Sequence, residues 1–184
     1  NGVELDRNRQ ALSDLRRRHS QEAYPRLMEP RRVLMVCLGN ICRSPVAQGF
    51  MEAELLEQFG PNHGWIVDSA GTSSAHQGEA PDARSQASVR RWGHSISHQT
   101  SRPLVDADFE NFDHILVMDR SNLAEVLRRA PTQAAGRISM MIEASFPGEG
   151  REVPDPYYGG EQGFEQVALL LREASQNWLE RWRG

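Results

Sequence analysis

The sequence contains no lysine; all 21 of its basic residues are arginine. This absence excludes a phosphate-binding loop built on a lysine and a catalytic lysine that forms a Schiff base. The formal net charge is −4: residues 1–32, with eight arginines and five acids, have a net charge of +3, and the rest of the chain has a net charge of −7. A general nucleic-acid-binding protein is usually more basic. The composition therefore predicts no nucleic-acid partner.

Cysteine and long apolar runs are also scarce. Cys37 and Cys42 are the only cysteines, too few for a secreted disulfide framework or, unless distant histidines complete it, for a structural zinc site. No apolar run approaches the roughly 18 residues that cross a bilayer, and the polar N-terminal stretch lacks the apolar core of a signal peptide. We therefore expect a cytoplasmic protein with reduced thiols and no membrane span.

The first 31 residues differ from the rest of the chain. They are rich in arginine and sparse in apolar residues, although Leu5, Leu12 and Leu15 could line a narrow helical stripe. One interpretation is a weakly docked extension; the other is a docked helix that contacts a partner or mediates self-association. We predict an N-terminal extension over 1–31 and one domain over 32–184.

After the extension, short apolar runs alternate with helical patterns. Continuous apolar runs are typical of buried parallel strands, and apolar spacings of three and four residues predict helices. The predicted strands are 33–36, 66–67, 115–118 and 138–141, and the predicted helices are 46–59, 83–92, 121–129 and 163–182. This alternation predicts an α/β fold: a three-layer, doubly wound domain with a central four-stranded parallel sheet.

The stretch VLMVCLGNICRSP joins the first predicted strand to the first predicted helix. Ligands of doubly wound sheets bind at the carboxyl ends of strands, and a helix N-terminus favours anions. Gly39 permits an unusual backbone angle, and Asn40 tolerates a left-handed one. Because Pro45 suits the first turn of a helix, we predict that this segment forms a phosphate-binding loop.

A thiol and a guanidinium stand at opposite ends of this loop. Cys37, facing the loop amides, is expected to be held as a thiolate, the form that attacks phosphorus. The planar fork of Arg43 matches two phosphate oxygens. A cysteine that merely packs at a strand end is the structural alternative, but the glycine, asparagine and Ser-Pro positions favour a nucleophile. No metal or organic cofactor is required, because the loop amides and Arg43 neutralise the transferring group.

Asp155, in the stretch VPDPYYGG, is the candidate proton donor. An attack that expels an alkoxide or a phenolate needs such a donor. The two prolines stiffen its flanks, and Tyr157 and Tyr158 could form the wall of a pocket for an aromatic group. The local sequence alone favours an ordinary surface turn, so further evidence is needed to prefer an active-site acid.

Four motifs, in this order and spacing, resemble the low molecular weight protein tyrosine phosphatases. They are VCLGNICRSP at 36–45, DSAGT at 68–72, VMDRSN at 117–122 and DPYYGG at 155–160. The resemblance covers the chain from about residue 31 to its C-terminus. It implies a cysteine-based phosphatase that hydrolyses phosphotyrosine in protein substrates through a phosphocysteine intermediate.

The resemblance also assigns roles to individual residues. Cys37 corresponds to the nucleophile, Arg43 to the phosphate-binding arginine, and Asp155 to the general acid that later acts as general base. The remaining matches fall into three groups: the phosphate-binding loop at Leu38, Gly39, Asn40, Ile41, Cys42 and Ser44; a supporting hydrogen-bond network that adds Ser69 and His98 to Asn40 and Ser44; and the substrate pocket at Ala75, Tyr157 and Tyr158.

Two of these matches carry a further implication. Cys42 corresponds to a second loop cysteine that in many relatives forms a reversible disulfide with the nucleophile; a buried cysteine at a helix start is the alternative. Ala75 stands where many relatives carry an aromatic residue that packs against phosphotyrosine. Its small side chain implies weaker stacking or a different choice of substrate.

Three other functions fit parts of the pattern. An arsenate reductase uses the same scaffold and loop but relays oxidation through further cysteines, which this chain lacks beyond Cys42. A protein-arginine phosphatase has threonine where this chain has Ile41, and an apolar isoleucine suits a phenyl ring better. A phosphate-binding adaptor that has lost turnover is disfavoured, because Cys37, Arg43 and Asp155 are all present.

Overall fold

The computed structural model describes residues 31–183, and β1 (Arg32–Cys37) forms the centre of its sheet. Its sequence RVLMVC is apolar except for the first residue, and Val33 to Val36 have no exposed surface. A strand with this pattern is stable only when both faces of the sheet are covered. The strand ends at Cys37, which is also buried.

The sheet has four parallel strands in the order β2-β1-β3-β4. The other strands are β2 (Ile66–Gly71), β3 (His114–Val117) and β4 (Ile138–Met140). The strand that follows β1 in the chain pairs on one side of it, and the third strand pairs on the other. The strand order therefore reverses beside the carboxyl end of β1, where ligands of such sheets bind.

The helices cover both faces of this sheet. They are α1 (Arg43–Phe59), α2 (Ala83–Arg90), the single-turn α3 (Asp108–Asn111), α4 (Arg120–Arg129) and α5 (Glu161–Arg183), with 3₁₀ helices at Thr132–Arg137 and Met141–Ala144. Val33, Met35 and Cys37 share a buried cluster with residues of α1 and α5. Leu34 and Val36 share the cluster of the opposite face, with residues of α3 and α4. The predicted three-layer α/β fold is confirmed.

Two local features differ from the sequence prediction. β2 runs to Gly71, beyond the predicted 66–67, because parallel pairing with β1 extends it through the polar Asp68 and Ser69. The second helix ends at Arg90, and Trp92 lies in a turn after it with 41% of its surface exposed. Apolar content alone placed the ends of both elements wrongly. β2 continues through polar residues at the edge of the sheet, and Trp92, although apolar, is exposed beyond the end of the helix.

The predicted extension over 1–31 lies, apart from its last residue, outside the described residues, so its helix and its role in self-association stay predictions. Within residues 31–183, no helix is both long and apolar enough to cross a membrane. The apolar spacing that predicted the helix over 163–182 is confirmed in α5. Its Trp182 packs partly buried against the core, and its buried apolar residues are Phe164, Val167, Ala168, Leu171, Ala174, Trp178 and Leu179.

Candidate active site

The segment between β1 and α1 folds back over the end of the sheet. Asn40 has a φ of 54°, a left-handed conformation that asparagine tolerates. Backbone bonds fix the loop to the segment after β2: Thr72 N donates to the Cys37 carbonyl and Ser73 N to the Leu38 carbonyl, each at 2.9 Å. Gly71 is required there, because a Cβ on it would lie 2.7 Å from the Leu38 oxygen.

The thiol of Cys37 receives hydrogen bonds within this loop. Asn40 N donates to Cys37 Sγ at 3.3 Å, and Ser44 Oγ lies 3.0 Å from the same sulfur. Ser44 Oγ itself accepts from Asn40 Nδ2 at 2.9 Å. Its hydroxyl hydrogen is therefore free to point at the sulfur, since the Ala70 carbonyl is farther away at 3.5 Å. Donors directed at a sulfur stabilise its thiolate form.

A buried polar network supports Asn40. Its Nδ2 also donates to Ser69 Oγ at 2.9 Å, and its Oδ1 accepts from the backbone N–H of Arg102 at 2.9 Å. Ser69 Oγ donates in turn to Gln48 Oε1 at 2.7 Å. The predicted members Asn40, Ser44 and Ser69 are thus brought together, while Gln48 was not anticipated.

His98 is the predicted member that the structure does not bring into this network. Its side chain is exposed, and among the described residues no hydrogen bond joins it to the loop. Gln48, about one turn after Ser44 on α1, is the side chain that accepts from Ser69. Its Nε2 also donates to the Val67 carbonyl of β2 at 3.4 Å. The role of His98 in the supporting network therefore stays a prediction.

Arg43 is 3% exposed and connects three acceptors. Its Nη1 donates to Asp119 Oδ2 at 2.7 Å and to the Val153 carbonyl at 3.0 Å, and its Nη2 donates to Asp155 Oδ2 at 3.0 Å. Asp119 also caps α4 by accepting from Asn122 N at 2.7 Å. One arm of the guanidinium is therefore anchored to a rigid helix terminus, while the other reaches the candidate acid.

These side chains meet in a cavity of about 180 Å³ at the carboxyl end of β1. Most of the predicted site residues line it: Cys37, Leu38, Gly39, Ile41, Cys42, Arg43, Ala75, Asp155, Tyr157 and Tyr158. Ser73 and His76 line it as well and were not predicted. The Tyr157 and Tyr158 rings meet edge to face with centroids 5.0 Å apart, and Tyr158 is 97% exposed at the rim.

Cys42 also lines the cavity, but only 6% of its surface is exposed. Burial, reinforced by the negative charge of Asp82, raises the pKa of its thiol to about 12. Cys42 is therefore a protonated thiol at neutral pH. It packs with Ile41 and Phe164 in a small apolar cluster. The Cys42 side chain therefore contributes to packing as well as lying near Cys37.

A second arginine ties the acid-bearing segment to the phosphate loop. Arg84 contacts Asp82 with two nitrogens, donates to the Gly159 carbonyl at 3.2 Å, and lies 4.3 Å from the centroid of the Phe164 ring. Asp82 N donates to the Ile41 carbonyl at 2.8 Å. Asp82 also caps α2 by accepting from Arg84 N at 2.8 Å, whereas the link from Arg84 to Gly159 depends on tertiary packing that no local pattern reveals.

The fold and the site together define the class: the chain is a protein-tyrosine phosphatase. Enzymes of this class are hydrolases. It belongs to the low molecular weight phosphotyrosine protein phosphatase family, whose model matches residues 32–183. The chain is 42% identical over 149 residues to the putative low molecular weight protein-tyrosine-phosphatase slr0328 of Synechocystis, covering 80% of this chain and 94% of that relative. The family predicted from the four motifs is confirmed.

Solved structures give the same result. The Entamoeba histolytica protein tyrosine phosphatase crystallised with Hepes in its active site superposes with a TM-score of 0.76 at 40% identity, covering 83% of this chain and 97% of that one. The YwlE arginine phosphatase from Geobacillus stearothermophilus superposes with a TM-score of 0.73 at 25% identity, covering 84% and 94%. The same scaffold is thus found in a phosphatase named for tyrosine and in one named for arginine.

Proposed function

We propose that this protein hydrolyses phosphotyrosine in protein substrates through a phosphocysteine intermediate. The observation that carries the proposal is that Cys37, Arg43 and Asp155 line one cavity at the carboxyl end of β1. A nucleophile, a cationic fork and a proton donor are the three groups that a metal-independent displacement at phosphorus needs. Free, buried thiols are consistent with a reducing compartment, so we place the activity in the cytoplasm.

In the first step, the Cys37 thiolate attacks phosphorus, forming an S–P bond as the bond from phosphorus to the tyrosine oxygen breaks. Arg43 Nη2 is 3.0 Å from Asp155, and oxygens of an entering phosphate would compete for that nitrogen. Arg43 would then neutralise the transferring group, while Asp155 gives its proton to the departing phenolate. The Asp119 anchor keeps the guanidinium in place during this exchange.

In the second step, Asp155, now a carboxylate, takes a proton from a water molecule that attacks phosphocysteine. The S–P bond breaks, inorganic phosphate forms, and Cys37 returns as the thiolate. The Asn40 and Ser44 hydrogen bonds stabilise that leaving thiolate, just as they favour the attacking form in the first step.

The cavity also supports an aromatic substrate. Ile41 and Leu38 line it on the loop side, and Tyr157 lines it on the side of the acid. A phosphoserine side chain is shorter than phosphotyrosine and brings no ring to these apolar surfaces. Phosphoarginine is the second candidate, because an arginine phosphatase shares the scaffold, but the apolar Ile41 favours a phenyl ring over a guanidino group.

The deciding experiment measures phosphate release from matched phosphotyrosine, phosphoserine and phosphoarginine peptides in the presence of a chelator. We expect release from the phosphotyrosine peptide alone. Preferential release from the phosphoarginine peptide would transfer the assignment to that substrate. Retention of the phosphotyrosine peptide in a pull-down with no phosphate released from any of the three would indicate a binding adaptor.

Replacing Asp155 with asparagine is expected to lower kcat/KM for phenyl phosphate by about 10²–10⁴-fold, the usual contribution of a general acid. This loss of kcat/KM, which reports the first step, should be much smaller for p-nitrophenyl phosphate, whose leaving group needs little protonation. Steady-state kinetics on both esters measures the difference. Glu152→Gln is the matched control, since this acid lies three residues away and contacts Arg120. An equal loss on both esters would contradict the acid role.

We further propose that Cys42 protects the nucleophile from overoxidation. Peroxide would convert the Cys37 thiolate to a sulfenic acid; the Cys42 thiol would then form a disulfide with it, releasing water. After peroxide treatment, dithiothreitol is expected to restore most of the wild-type activity but little of the Cys42→Ser activity, each relative to its own untreated sample. Equal recovery in both proteins, or none in the wild type, would contradict the protective role.

A further inference from the structure

Arg84 lies beside the site, but the proposed mechanism gives it no part. It is in the first turn of α2, and every nitrogen of its guanidinium donates a hydrogen bond. Nε and Nη2 donate to the two carboxylate oxygens of Asp82 at 3.1 Å and 2.9 Å, while Nη1 donates to the Gly159 carbonyl at 3.2 Å. One planar group therefore joins the start of α2 to the segment that carries the candidate acid.

The Asp82 end of this bridge is fixed to the phosphate loop. Asp82 N donates to the Ile41 carbonyl of that loop at 2.8 Å, and the Asp82 carboxylate caps α2. Its hydrogen bonds with Arg84 hold the pKa of Asp82 below the usual range, so the carboxylate is charged at neutral pH. The guanidinium is thereby oriented from a helix terminus that is bonded to the loop around Cys37.

An aromatic ring holds the guanidinium from another side. The central carbon of the Arg84 guanidinium lies 4.3 Å from the centroid of Phe164, and a cation over a ring face is attracted to it. The Phe164 side chain is buried in one cluster with Ile41 and Cys42. The position of Arg84 Nη1 is therefore set by groups that pack on the phosphate loop.

The segment 155–160 has few other attachments. Tyr157 N donates to Asp155 Oδ1 at 3.1 Å, and Gly159 N donates to the Pro156 carbonyl at 2.9 Å, so local bonds connect the acid with Gly159. Among the described residues, only two hydrogen bonds tie this segment to parts of the chain other than α5. They run from Arg43 to Asp155 and from Arg84 to Gly159.

These two attachments differ during catalysis. In the proposed first step, phosphate oxygens compete for Arg43 Nη2, and a protonated Asp155 no longer has the charge that attracts Arg43. The Asp155 side chain is 45% exposed, so packing does little to hold it. The Arg84 bond is unaffected, because its acceptor is a backbone carbonyl. It therefore remains in place when the acid has to reach the tyrosine oxygen.

We propose that Arg84 is a positioning residue for the general acid: by holding the Gly159 carbonyl against the phosphate loop, it keeps Asp155 within reach of the leaving oxygen. The inference rests on the proposed function, in which Asp155 gives its proton to the phenolate. A displacement of about 1 Å at a catalytic group costs about 10²-fold in rate. Loss of Arg84 should therefore slow the reaction only where the leaving group needs a proton.

The test measures kcat/KM for phenyl phosphate and p-nitrophenyl phosphate. Arg84→Met, which keeps an unbranched stem but no donors, is expected to lower kcat/KM for phenyl phosphate about 10-fold to 100-fold and that for p-nitrophenyl phosphate less than about threefold. In an Asp155→Asn protein, the same substitution should cause little further loss, because effects exerted through one group are not additive. Arg91→Met is the control, since Arg91 follows the same helix and its guanidinium pairs with Glu165 of α5.

Asp82→Asn is a second variant that decides the question if Arg84→Met does not fold. Asparagine still caps a helix, and the backbone bond from residue 82 to Ile41 is kept, but only one oxygen is left to orient Arg84. We expect the same difference between the esters with a smaller loss. In both variants, the inhibition constant of inorganic phosphate should stay close to that of the wild type.

Two sets of results would overturn the inference. Equal losses on the two esters, or weaker inhibition by inorganic phosphate, would mean that Arg84 supports the phosphate loop. Unchanged kcat/KM for phenyl phosphate, or a full further loss in the Asp155→Asn protein, would mean that the acid is positioned without Arg84. Failure of the proposed function would instead appear as a wild-type protein that releases no phosphate from the phosphotyrosine peptide.

Discussion

Arg43→Lys is expected to lower kcat/KM for a phosphotyrosine peptide by at least about 10³-fold, although the positive charge is kept. Arginines that stabilise a transferring phosphoryl group contribute about 10³–10⁵-fold, and the contribution depends on the planar fork that lysine lacks. In this structure, the fork reaches Asp119 and Val153 with one nitrogen and Asp155 with the other. An ammonium group cannot span these positions and present two parallel N–H groups to phosphate.

Arg102→Lys is the matched control for that measurement. Arg102 also bridges two carboxylates, those of Asp68 and Asp108, and is partly buried, but it does not line the cavity. Only its backbone N–H contacts the Asn40 side chain, and this group survives the substitution. Activity of Arg43→Lys within tenfold of the wild type, or an equal loss in Arg102→Lys, would contradict a specific role of the Arg43 fork.

The conformation of the loop between β1 and α1 could be predicted from sequence because the signals are local. An apolar strand, a glycine, an asparagine that tolerates positive φ and a Ser-Pro at a helix start occur within thirteen residues. Their conformations are determined largely by neighbouring residues, so Asn40 has the expected left-handed angle and Pro45 lies in the first turn of α1.

The remainder of the site depends on contacts between distant segments. Asp119 is 76 residues from Arg43, and its stretch VMDRSN was recognised as a motif without indicating that its carboxylate anchors the guanidinium. Gln48 reads as an ordinary polar residue of a helix until β2 is placed beside it. A local pattern cannot distinguish Gln48 from His98 as the partner of Ser69, since both side chains form hydrogen bonds and only tertiary packing determines which one reaches the serine.

His76 illustrates the same limit at the substrate pocket. Position 75 could be compared with an aromatic position of relatives, and its alanine predicted weaker stacking. The adjacent histidine enters the cavity because Glu79 holds its Nδ1 and Gly39 leaves space for its ring. Both conditions involve residues whose meeting depends on how the segment after β2 lies on the phosphate loop.

Cys37→Ser is expected to abolish phosphate release, with a loss of at least about 10³-fold and up to about 10⁶-fold, the range for removal of a catalytic nucleophile. A serine hydroxyl is not ionised at neutral pH and is a poor nucleophile without an adjacent base. The neighbours of Cys37 Sγ are the Asn40 N–H and the Ser44 hydroxyl, which stabilise an anion but cannot accept a proton readily. Steady-state hydrolysis of the phosphotyrosine peptide measures the loss.

Cys42→Ser makes the same change of sulfur to oxygen in the same loop and is the control for its structural effect. Because burial raises the pKa of Cys42 to about 12, this thiol cannot serve as the attacking thiolate at neutral pH, and its replacement should lower kcat far less than the replacement of Cys37. Acid quenching during turnover should leave phosphate bound to the wild-type and Cys42→Ser proteins and none bound to Cys37→Ser. Phosphate bound to Cys37→Ser, or comparable losses of activity in the two variants, would mean that Cys37 is not the residue that carries the phosphoryl group.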